Sequence, residues 1–174
     1  MRYSFPIILL GLLAAFAAVA TAGTTLSSLN PPYIQAGGPD VTLSISGSGF
    51  VPGGVVVFGY AGASLSTTYI DSTRISAVLP ASISALSGDY QVFVRNPDSS
   101  ASSTLYFDIQ PVLTSVTPNS VAAGSPTTPV TITGIGFVDG ISVRFVTASS
   151  STGVYASYVN STKMTAFIDG KSVV

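Results

Sequence analysis

Val41-Thr-Leu-Ser-Ile-Ser-Gly-Ser-Gly-Phe-Val-Pro-Gly53 decides the fold, because the chain writes it twice. It returns as Val130-Thr-Ile-Thr-Gly-Ile-Gly-Phe-Val-Asp-Gly140, so that Gly47, Gly49, Phe50 and Gly53 meet Gly134, Gly136, Phe137 and Gly140, each 87 positions on. The same offset carries Pro31 to Pro118, Gly37 to Gly124 and Pro39 to Pro126. Further along, Tyr69-Ile-Asp-Ser-Thr-Arg-Ile-Ser-Ala77 returns as Tyr158-Val-Asn-Ser-Thr-Lys-Met-Thr-Ala166, now 89 positions on, so the second copy carries two extra residues between the blocks. Self-similarity at a fixed period marks one structural unit used repeatedly.

Each unit reads as strands. Val41, Leu43 and Ile45 alternate with Thr and Ser, the two-residue period of a half-buried strand, and Gly47-Ser48-Gly49 breaks it. Outward from this block come Leu26–Leu29, Val55–Tyr60, Ser64–Ile70, Arg74–Leu79, Tyr90–Arg95 and Thr104–Ile109. They are separated by Asn30-Pro31-Pro32, Ala61-Gly62, Asp71-Ser72-Thr73 and Asn96-Pro97-Asp98, the residue types of turns. About seven short strands in one copy predict an all-β immunoglobulin-like β-sandwich. The expected organisation is an N-terminal signal peptide over 1–22, one sandwich over 23–111 and a second over 112–174 that lacks its last strands. Nothing in the second copy answers Tyr90–Arg95 or Thr104–Ile109, so Ser142–Val146 is expected to show an apolar edge. Further sequence, or strand exchange with a neighbouring chain, would cover it.

Composition agrees. Hydrophobic residues are 47% and charged residues 7% of the chain, which excludes a charge-rich disordered tail. Ser, Thr, Val, Gly and Pro outweigh the helix-forming polar residues. A net charge of −1 leaves no footprint for nucleic acid. With neither Cys nor His, a disulfide, a thiol nucleophile, a Ser-His-Asp triad and a His or Cys metal site are excluded within this chain.

The first residues read as an address. Met1-Arg2-Tyr3-Ser4 is short and basic, Phe5–Val19 is apolar, and Ala18-Val19-Ala20 and Ala20-Thr21-Ala22 have small residues at the positions that precede a cleavage point. The run is shorter than the roughly 20 residues a membrane span needs. A secreted or cell-surface chain is expected, cleaved after Ala22, with no span in the mature protein.

Candidate site residues are few, and each has a structural reading beside the chemical one. Gly47, Gly49 and Gly53 lack the Lys and following helix of a phosphate loop. Asp40, Asp71, Asp89, Asp98, Asp108, Asp139 and Asp169 are scattered singly, mostly in turn-like contexts. Tyr33, Tyr60 and Tyr69 could stack on sugar rings, and Asn160-Ser161-Thr162 is an acceptor sequon. No catalytic, cofactor-binding or metal-binding residue is expected.

The ordered blocks resemble a known family. Leu29-Asn30-Pro31, Ala36-Gly37-Gly38, the Gly-x-Gly-Phe block, Val55–Phe58, Ser72-Thr73-Arg74-Ile75, Val78-Leu79-Pro80 and Gly88–Asn96 are similar to the IPT/TIG immunoglobulin-like domains. The resemblance covers about residues 26–110 and the first two-thirds of the pattern in the second copy. It implies a non-catalytic module with no shared catalytic residues to carry over. In bacterial-type tandem arrays such modules serve as spacers, as adhesion modules or as accessory domains beside glycan-active enzymes. The implied partner is a protein or a glycan at the cell surface.

Overall fold

The computed structural model describes residues 23–146 and 151–169. The expected signal peptide, its apolar run and its cleavage point lie outside the described residues. Among the described residues there is no helix, and the chain is all-β. It is an immunoglobulin-like sandwich followed, among the described residues, by a further four-stranded sheet and a two-stranded one.

Nine strands build the first module: β1 Thr25–Asn30, β2 Tyr33–Gln35, β3 Val41–Ser48, β4 Val55–Phe58, β5 Ala63–Ser64, β6 Ser66–Asp71, β7 Arg74–Leu79, β8 Gly88–Arg95 and β9 Leu105–Gln110. One sheet has the order β1-β3-β7-β6, the other β2-β9-β8-β4-β5. Alternation fills the space between them. Leu43, Ile45, Ile75, Ala77 and Leu79 of one sheet meet Val56, Phe58, Val92, Val94, Phe107 and Ile109 of the other. Phe58 stacks on Tyr90 at 5.3 Å between ring centroids and meets Phe107 edge-on at 6.0 Å, the offset and edge geometries that aromatic rings prefer.

Three details differ from the strand pattern read in the sequence. A short strand, β2, lies parallel to β9, so the chain enters in one sheet and crosses to the other around Pro31-Pro32. The run Ser64–Ile70 is two strands. Leu65 is buried and its N–H donates to Val56 O at 2.8 Å, while β5 pairs with β4 and β6 with β7. Finally, Gly47-Ser48 does not end β3 but pairs with β1.

The Gly-x-Gly-Phe block has the same physical reason in both copies. A Cβ on Gly47 would strike the Thr25 carbonyl oxygen and the Phe50 ring, and one on Gly134 would strike the Val112 oxygen and the Phe137 ring. The glycine therefore lets the neighbouring strand and the phenylalanine close on the backbone. Gly49 and Gly136 take φ of 73° and 77°, turning the chain so that Phe50 and Phe137 enter their cores at 2% and 4% exposure. The block is also tied to the later turn. Gly47 N–H donates to Thr73 O and Phe50 N–H to Ser72 O, and Gly134 and Phe137 do the same to Thr162 O and Ser161 O.

The second module begins one residue after the first ends, with only Pro111 between β9 and β10, Val112–Thr117. Its first sheet is a full counterpart, β10-β11-β15-β14, with β11 Thr128–Ile135, β14 Ala156–Asn160 and β15 Lys163–Ile168. The facing sheet holds only β12 Val143–Val146 and β13 Ser151–Val154 among the described residues. In the first module Val56 and Phe58 are sealed at 0% and 1% by β8 and β9. Their repeat counterparts Val143 and Phe145 are only half-buried. They border a cavity of about 390 Å³ that Val116, Ile132, Phe137 and Met164 also line.

Candidate binding surface

Most of the candidate residues lie in turns or pack against the core. Gly53 has φ of 83° in the turn before β4. Asp71 accepts from Thr73 N–H at 2.8 Å and Thr73 Oγ1 at 2.7 Å, and pairs with Arg74 at 2.9 Å. The Thr73 hydroxyl foremost, then the Thr73 N–H and the Arg74 guanidinium, hold its carboxyl at about 2. Asn160 repeats this turn, accepting from Thr162 N–H and Thr162 Oγ1, each at 2.9 Å. Asp98 accepts from Ser100 N–H and Oγ, which lower its pKa. Asp40 accepts from Ala81 N–H, Asp139 accepts from Gly140 N–H, and Asp169 follows β15. Tyr69 packs half-buried against the core, and Tyr60 projects from the turn after β4. Among the described residues no three His, Cys, Asp or Glu side chains gather as a metal group would require.

Two aspartates are not scattered once the sheet forms. The register of β8 on β9 sets Asp89 directly opposite Asp108, and Gln91 opposite Tyr106. The register of β2 on β9 sets Tyr33 beside Asp108. Because side chains alternate across a strand, and Tyr90, Val92, Phe107 and Ile109 point inward, these residues all face outward. Tyr33 and Tyr106 are 51% and 60% exposed. Gln110 Nε2 donates to Asp108 Oδ2 at 2.9 Å. Farther along β8, Phe93 is half-buried with Arg95 over its ring at 5.7 Å, so that ring is already covered. Tyr33 was legible in the sequence as a candidate, whereas Tyr106 and the acid pair appear only with the register.

The modules also touch beyond their covalent link. Ser87 N–H donates to Gly136 O at 2.9 Å, and the Ala36-Gly37 turn is held by bonds to Gln110 O and Ser84 O. A Cβ on Gly136 would fall on the Ala36 methyl, and one on Gly37 would meet Ile135. The Gly-x-Gly turn of the second module thus rests on the end of the first.

The sheet orders, the interleaved core and the absence of any described helix define the class, an immunoglobulin-like β-sandwich module. Within that class the chain carries an IPT/TIG domain, since residues 24–109 match the IPT/TIG domain family. Domains of this family are generally non-catalytic. No curated protein matches the chain. Among solved structures, it is similar to the plexin A4 extracellular region, at 21% identity over 85% of this chain and 13% of that one, TM-score 0.40. It is similar to the TIG domain of human nuclear factor of activated T-cells, cytoplasmic 4, at 19% over 50% and 87%, TM-score 0.40. It is similar to a surface glycan-binding protein of Prevotella bryantii at 18% over 86% and 37%, TM-score 0.47. The chain therefore spans a small part of the plexin and about a third of the glycan-binding protein.

Proposed function

We propose that this chain is an exported, non-catalytic pair of modules, over residues 23–111 and 112–174, that acts as a structural spacer or adhesion module of a bacterial cell-surface or secreted protein. The observation that supports this reading is the joint. A one-residue link, a backbone bond from Ser87 to Gly136 and the seating of Gly136 on Ala36 resist hinging. A chain built to hold a distal part at a set distance needs such stiffness, whereas a Gly/Ser-rich linker would flex. An exported chain without cysteine must hold itself by sheet pairing and core burial alone, which suits a bacterial surface module better than the disulfide-dense small domains of other secreted proteins. Expression of the full chain in a bacterial host, followed by N-terminal sequencing of the exported protein, tests the export. The expected first residue is Gly23, and cytoplasmic retention with Met1 intact would contradict the reading.

The second reading is an accessory, carbohydrate-binding domain of a secreted glycan-active enzyme whose catalytic part is not in this chain. The outward tyrosines beside carboxylates and amides favour it over a bare spacer.

A further inference from the structure

We propose that the outer face of the five-stranded sheet is a saccharide platform: Tyr33 and Tyr106 stack on sugar rings while Asp89, Asp108 and Gln91 bond their hydroxyls. The inference rests on the reading of the chain as an exported binding module, whose own test, N-terminal processing, is scored separately.

The geometry follows from register alone. One row across the sheet runs Tyr33, Asp108, Asp89, and the next runs Tyr106, Gln91. Each exposed aromatic ring therefore stands next to a planar acceptor or amide. A sugar ring presents the complementary pattern, with an apolar face of C–H groups and a rim of hydroxyls that both donate and accept. Asp accepts only, and Gln does both. Gln110 occupies one oxygen of Asp108, and the other oxygen has no hydrogen bond among the described residues.

A second, independent observation points the same way. Like charges set directly opposite across an antiparallel pair destabilise a sheet, yet Asp89 faces Asp108. Nothing within the described residues compensates Asp89, which makes no ion pair or hydrogen bond there. A local rule broken without a local gain is the mark of a functional position. The same two carboxylates select the ligand class. They repel uronic acid and sulfated chains, and the exposed Tyr33 and Tyr106 rings offer stacking to the apolar face of a sugar, so that among saccharides the partner is a neutral polysaccharide. Residues set in rows across adjacent strands suit an extended chain lying over them, not a small molecule in a concave pocket.

The test is affinity electrophoresis of the full chain through gels that contain soluble β-glucan, xylan or galactomannan, with polygalacturonate as the anionic control. Retardation is expected in at least one neutral gel and not in polygalacturonate. Tyr106→Ala and Tyr33→Ala should each weaken it about tenfold. Asp89→Asn should weaken it as well while raising the melting temperature, a split that a merely structural role would not produce. Absence of retardation in every neutral gel, retardation by polygalacturonate alone, or unchanged retardation in the folded Tyr33→Ala/Tyr106→Ala variant would each overturn the proposal.

Discussion

The backbone N–H of Ser87 in the first module reaches the carbonyl oxygen of Gly136 in the second at 2.9 Å. The bond joins the loop before β8 to the Gly-x-Gly turn of the other copy. In the first copy the equivalent turn is closed by its own chain, where Thr24 Oγ1 donates to Gly49 O at 3.0 Å. The same carbonyl position is thus capped internally at one end and used as a joint at the other. The residue before it differs accordingly, Ser48 where the turn is free and Ile135 where it lies against Gly37.

Phe50→Ala should cost roughly 3–5 kcal/mol, the range for truncating a buried phenylalanine. The ring is 2% exposed and packs over Gly47. Urea unfolding followed by tyrosine fluorescence measures it. A loss below about 1 kcal/mol would place the ring at the surface.

Asp89→Asn should stabilise the chain by about 0.2–1 kcal/mol, the range for a cross-strand pair. It removes one of two carboxylates that face each other across β8 and β9. The gain should shrink in high salt, which screens the pair on this exposed face. A melting temperature unchanged at low salt would show that the two groups do not feel each other.

Acid should act through the Asp71 turn. Its carboxyl titrates at about 2 instead of 3.8 because Thr73 and Arg74 bond the ionised form. A depressed folded pKa adds stability that is complete above the unfolded value, near pH 4, and fades as pH falls through about 2. Melts of Asp71→Asn should therefore lose less between those limits than melts of the parent. The second copy already uses Asn160 for the same two bonds to Thr162, so the variant keeps its turn. Parallel pH profiles for both proteins would remove Asp71 from the account.

Much of this was legible in the sequence. Strand alternation located Leu43, Ile45, Val92 and Val94 in the core, and the repeat made Phe50 and Phe137 equivalent. The Asp71 turn was readable because Asp bonds the backbone two residues on. What escaped depends on partners far away in the chain. A three-residue strand such as Tyr33–Gln35 has no period to detect, and its pairing with Asp108–Gln110 is set by the closing of the sandwich. Leu65 sits mid-run in a stretch that reads as one strand, yet it marks the crossing between sheets. Asp89 and Asp108 lie apart in the chain, and only the register of β8 on β9 brings them together.

The second module should yield to protease first. Val143 and Phe145 are half-buried beside an open cavity, whereas Val56 and Phe58 are sealed. Each large apolar side chain left uncovered forgoes roughly 1.5–3 kcal/mol of burial. Limited proteolysis of the mature chain should cut beyond residue 112 and leave a resistant core before it. Equal resistance of both modules in a dilute monomer would contradict the expectation.

The most direct test of a stiff, end-to-end pair is a distance across the joint. The chain has no cysteine, so Ser72→Cys and Phe167→Cys, both at exposed positions, can carry two spin labels without background. Pulsed electron paramagnetic resonance should give one narrow distance distribution. Gly136→Ala, which sets a methyl against Ala36 at a φ of 77°, should broaden it. A broad distribution in the parent, unchanged by Gly136→Ala, would contradict a fixed joint and with it the spacer account.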